Sequence, residues 1–164
     1  MRTLIAILLT LAANAVYAKD KETLEFSKEK APIPQCGTPY EGDLEGGVIT
    51  LLPNNAVCLV ATVVDGQVKL SRPPDGARPE NLLVLKLWYG PKNGNSYLSI
   101  HNPLDQFLAY KAYLLRAGSS AREYTTTCQV LSRRDGLEWW NYQLVEITLA
   151  TFSVAPDAPT VNCG

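Results

Sequence analysis

Apolar residues in this chain fall in short runs, cut at close intervals by turn residues. Residues 48–52 follow Gly46-Gly47 and stop at Pro53-Asn54-Asn55. Residues 56–64 are β-branched and almost wholly apolar, the pattern of a central strand buried on both faces. Asp65-Gly66 then turns the chain into residues 67–70. After a proline-rich loop, residues 82–89 alternate, with Leu83, Leu85 and Leu87 on one face and Val84, Lys86 and Trp88 on the other. Asn93-Gly94 predicts a hairpin whose return strand is 97–101.

Residues 104–116 fit two periods. As a helix they align Leu104, Phe107, Leu108, Ala112 and Leu115, with Asn102, Pro103 and Gly118 as caps. As a strand they align Leu104, Leu108, Tyr110, Ala112 and Leu114 on one face with Gln106, and the strand reading is preferred. Residues 124–131 are β by composition, Arg133-Arg134-Asp135-Gly136 reads as a turn, and residues 142–154 alternate over a long strand. The count is seven or eight strands with no internal repeat. An antiparallel β-sandwich is expected, with an immunoglobulin-like arrangement as the leading topology. The antibody-type markers are missing: Trp88 lies far beyond the usual gap after Cys58, and Thr126 stands where a tyrosine corner would.

The first residues do not belong to this pattern. Arg2, an apolar stretch over 4–13, and Ala18 after a small or aliphatic residue at Val16 have the layout of a secretory signal peptide, 1–18. Residues 19–35 read as a charged arm, in which 23–27 can add an edge strand. Residues 36–164 then form a single domain. The expected location is periplasmic or secreted, with no transmembrane segment.

Export changes how the cysteines are read. Cys36, Cys58, Cys128 and Cys163 make an even set, which predicts two disulfides. Three connectivities exist. Cys36–Cys58 with Cys128–Cys163 needs only local loop closure and is preferred. The crossed pairing, Cys58–Cys128 with Cys36–Cys163, would tie the chain ends together. Long spacings and one histidine disfavour zinc. A net charge of −1 disfavours nucleic acid as a partner.

Candidate chemistry is sparse, and no cofactor is implied. Trp139, Trp140 and Tyr142 form the most suggestive cluster. Two adjacent tryptophans just before a strand cannot both point inward on an extended backbone, so one is expected at the surface, to stack on sugar rings or anchor a partner. The bland alternative is end-plugging of the core. Glu41, Asp43 and Glu45 alternate beside glycines, as in part of a Ca²⁺ loop, but an acidic solvated turn accounts for them better. His101 is a candidate general base, and Ser119-Ser120 lacks a nucleophile-elbow context. The expected function is therefore non-catalytic: an exported protein binding a protein or carbohydrate through its loops. A carbohydrate-binding module and a small secreted hydrolase are the alternatives.

Overall fold

The computed structural model describes residues 36–78, 81–92, 94–155 and 162–164. The signal peptide, the charged arm and the edge strand expected at 23–27 lie outside the described residues. Ten strands follow in chain order: β1 Glu41–Asp43, β2 Val48–Leu51, β3 Asn55–Val64, β4 Gln67–Ser71, β5 Leu83–Tyr89, β6 Ser96–His101, β7 Phe107–Arg116, β8 Glu123–Thr125, β9 Asp135–Trp140 and β10 Leu144–Ala155. The protein is all-β, and every strand pairing is antiparallel.

The strands run in the order β1-β2-β10-β4-β3-β5-β6-β9, with β7 attached to β10 and β8 to β7. Two long strands make this branching possible. The first half of β3 pairs β5 and its second half pairs β4. β10 carries β7 along one side and β2, then β4, along the other. One buried cluster draws on both regions: Leu85, Leu87, Leu98 and Ile100 from β5 and β6, and Ile49, Leu108, Ile147, Leu149 and Phe152 from the others.

Ten strands replace the seven or eight expected, and two of the additions have clear causes. β1 is Glu-Gly-Asp, with no apolar residue to mark it. β9 starts at Asp135-Gly136, so half of the expected turn is strand; the turn itself is at 132–133. Residues 124–131 are less regular than their composition suggests, with β8 ending at Thr125 and only isolated bridges at Cys128 and Val130.

Residues 107–116 form a strand, because Leu108, Tyr110, Ala112 and Leu114 all reach the core only at period two. The burial expected on both faces of β3 holds over Ala56–Leu59 and then fails: Thr62, Val63 and Val64 are exposed near the hairpin tip. That tip is turned by Asp65 and Gly66, at φ 51° and 76°, the two positive values a type I′ turn requires.

β10 departs from strict alternation. Its buried apolar residues are Leu144, Ile147, Leu149 and Phe152, because register shifts lie between Leu144 and Glu146 and between Ala150 and Ser153. Each shift moves the following residues to the other face. Thr151, inside the second, has φ 55°, an uncommon value for a β-branched residue.

The disulfides are Cys36–Cys58 and Cys128–Cys163, the pairing that closes the two shorter loops. Each contributes roughly 2–4 kcal/mol, in a model where the unfolded chain is constrained. Two disulfides suit an oxidising compartment. No helix of the described residues is long and apolar enough to cross a membrane.

Candidate binding face on β5, β6 and β9

The hairpin joining β5 to β6 sets the geometry of the site. Gly90 N–H donates to the Asn95 carbonyl at 2.8 Å, which closes the hairpin and places Trp88 opposite Tyr97. β9 then pairs β6 without a break, from His101↔Asp135 to Ser96↔Trp140. Cβ atoms alternate across a strand, so β5 turns Leu83, Leu85 and Leu87 inward, β6 turns Ser96, Leu98 and Ile100 inward, and the residues between them face outward.

The outward residues line up across the strands. Trp88, Tyr97 and Trp139 form one row, Lys86, Ser99 and Leu137 the next, and Val84, His101 and Asp135 the third. The Trp88 and Tyr97 rings stack with centroids 5.5 Å apart, and Lys86 Nζ lies 5.6 Å from the Trp88 centroid. On β9, Trp139 is 60 % exposed and Leu137 61 %. Large apolar side chains at such exposure are informative when they adjoin one another on one face.

The hydrogen-bond alternation also fixes which backbone groups of β9 are engaged. Asn102 N–H donates to the Arg134 carbonyl at 2.9 Å. Carried along the unbroken register, this makes Gly136, Glu138 and Trp140 the hydrogen-bonded partners of Ile100, Leu98 and Ser96. The N–H and C=O groups of Asp135, Leu137 and Trp139 therefore point away from β6. Among the described residues no strand pairs with that side of β9.

Beneath β9 the sequence does something the polar-out rule does not anticipate. Glu138 faces inward. Its Oε1 accepts from Cys128 N–H at 2.8 Å and from the Tyr110 hydroxyl at 3.3 Å. Burial first, and the adjacent Glu138 charge second, push the Tyr110 phenol well above its ordinary pKa. The segment carrying Cys128 and Val130 is held by Asn102, fully buried, whose Nδ2 donates to the carbonyls of Gln106, Val130 and Leu131 at 2.9, 3.1 and 3.0 Å. Gly136 is required over this segment, since a Cβ there would stand 2.8 Å from Val130 Cγ2.

The three aromatic residues singled out from the sequence part company. Trp139 and Trp140 are on a strand and not in a loop before one. Trp139 faces out, while Trp140 is buried in the core. Tyr142, past the strand end, packs partly against the core, and the Arg116 guanidinium sits 4.2 Å from its ring centroid. Its carbonyl accepts from Ser96 Oγ at 2.9 Å. Trp88, Tyr97 and Leu137 join Trp139 instead. The hairpin signal was enough to pair Trp88 with Tyr97; nothing local showed that β9 lies beside them.

The other candidates are placed as follows. His101 Nδ1 and Asp135 Oδ1 lie 2.7 Å apart across β6 and β9. Ser119 Oγ donates to the Ala121 carbonyl within the turn between β7 and β8. Glu41 and Asp43 lie on β1, and Glu45 in the turn after it. No group of three or more His, Cys, Asp or Glu side chains among the described residues is placed to hold a metal ion. Two clefts, of 260 and 380 Å³, lie beside Tyr110, Thr127 and Thr151 and beside Asn81, Leu104 and Arg133; none of the outer-face aromatic residues lines either. No protein family, curated protein or solved structure matches this chain.

Proposed function

We propose that this is an exported, non-catalytic binding protein that meets its partner with the outer face of β5, β6 and β9. The carrying observation is the exposed pair Leu137 and Trp139 beside the stacked Trp88 and Tyr97. Apolar surface left in water forgoes about 25 cal/mol per Å². A tryptophan held on a regular strand is pre-ordered for an interface, where such residues supply most of the binding energy. The partner is a protein, and the strand face does the work expected of the loops.

The architecture we infer with it is a stapled sandwich. β3 passes from one set of strands to the other, and the core is filled from both. The signal-like residues 1–18 and the two disulfides support an exported location.

Carbohydrate is the second reading, favoured by one feature. Among the described residues no aromatic ring stacks on Trp139, which leaves its indole open to a sugar ring.

Affinity capture from the producing cells' envelope and medium, run beside polysaccharide titrations followed by tryptophan fluorescence, separates the two. Trp139→Ala is expected to weaken the authentic partner by about 30-fold, corresponding to roughly 2 kcal/mol. A captured partner that binds the variant with unchanged affinity would remove this face from consideration. Response to polysaccharide alone would move the assignment to the second reading.

A further inference from the structure

We propose that β9 is a self-pairing edge, and that two copies of the protein join antiparallel along Asp135–Trp140 about a two-fold axis at Glu138. This does not depend on what the outer face binds; it rests on the backbone of β9 and on the order of its side chains.

A bare sheet edge invites another strand, and proteins normally blunt such edges with shortness, charge, proline or a bulge. β1 and β8 are three residues each and carry Glu41, Asp43 and Glu123. β9 has six residues in unbroken register, with no Lys, no Pro and no bulge. Its outward backbone groups belong to Asp135, Leu137 and Trp139, the residues whose side chains also face out.

The strand complements itself. Antiparallel pairing centred on Glu138 sets Leu137 opposite Trp139 of the second copy, and Trp139 opposite its Leu137. Both pairs fall at hydrogen-bonded positions, because both residues direct N–H and C=O away from β6. Aromatic–aliphatic cross-strand pairs are favourable, and here they occur twice by symmetry. Asp135 meets Asn141 and not another Asp135. Glu138 meets Glu138 across the axis, but each carboxylate is turned beneath its own sheet, onto Cys128 N–H and the Tyr110 hydroxyl. Shifting the strands by two residues in either direction loses both Leu137–Trp139 pairs: Leu137 then faces Leu137 and Trp139 faces Asp135, or Trp139 faces Trp139 and Leu137 faces Asn141.

A net charge of −1 offers little repulsion between copies. The contact rests on a single six-residue strand, so the dimer is concentration-dependent. Its consequence is a doubled face, with the row Trp88–Tyr97–Trp139 of one copy running into Leu137 of the other.

Sedimentation equilibrium of the wild-type protein, Leu137→Lys and Glu123→Lys tests the pairing, with circular dichroism reporting the fold. The wild type and Glu123→Lys are expected to dimerise on concentration, and Leu137→Lys to stay monomeric at least tenfold higher. An isotope-filtered NOE experiment on mixed labelled and unlabelled wild type requires no variant. It is expected to show Leu137 methyl protons close to Trp139 indole protons of the other copy. A wild type that stays monomeric into the millimolar range overturns the proposal. So does a dimer lacking that intermolecular NOE, or one that Leu137→Lys leaves intact.

Discussion

The two margins of the β3-β5-β6-β9 region are built differently. At the β3 margin, Gly37 forms a parallel bridge to Val57 and donates to the Ala56 carbonyl at 2.7 Å, while Cys36 is bonded to Cys58. Backbone and side chain both cover that edge. At the β9 margin the chain does the reverse: it secures the strand from below through Glu138, Val130 and Asn102, and among the described residues no strand covers its lateral edge. The difference teaches that β9 is supported without being capped. A strand that were merely peripheral would need no half-buried carboxylate under it.

Breaking the covered margin has the largest expected effect. Replacing Cys36 and Cys58 together by Ala should lower stability by roughly 2–5 kcal/mol in urea unfolding. An unchanged midpoint would mean that the cover is ornamental. The support under β9 comes next. Glu138→Ala leaves Cys128 N–H and the Tyr110 hydroxyl without their acceptor, and should cost about 1–3 kcal/mol.

The same contact has a pH signature. Tyr110 is held above its unfolded pKa of 10.0, so the unfolded chain gives up this proton first. The contribution is complete below pH 10 and is lost as pH rises toward the folded pKa, by up to about 1.4 kcal/mol per pH unit. Tyr110→Phe should flatten that decline in alkaline urea titrations; a slope equal to wild type would argue against the buried phenol. Smallest of all is the exposed side. Trp139→Ala should shift stability by no more than about 0.5 kcal/mol, because the side chain meets mainly solvent. A larger loss would show that Trp139 is structural.

The same contrast explains how much was legible in the sequence. Strands β2 to β7 and β10 were visible because apolar residues, in short runs or at period two, feed a core. The hairpins at Asp65-Gly66 and after Tyr89 were visible because their turn residues accept the required backbone. The disulfide pairing followed loop length. β9 was hidden, since Asp135-Gly136 imitates a turn and Glu138 points inward against the usual pattern. The bulges in β10 were hidden too, because alternation along 144–154 remains plausible in either register. That one of Trp139 and Trp140 faces outward was legible; which one was not. Nor were the true neighbours of Trp139, because they come from β5 and β6, and only the long-range pairing of β9 brings them together.

Among the described residues β9 is engaged by β6 on one side and paired by no strand on the other. Amide hydrogen exchange by NMR in dilute solution tests it residue by residue. An alternation is expected: Gly136, Glu138 and Trp140 protected, and Asp135, Leu137 and Trp139 exchanging fast. Uniform protection across 135–140 in dilute solution, or protection with the opposite alternation, would contradict it.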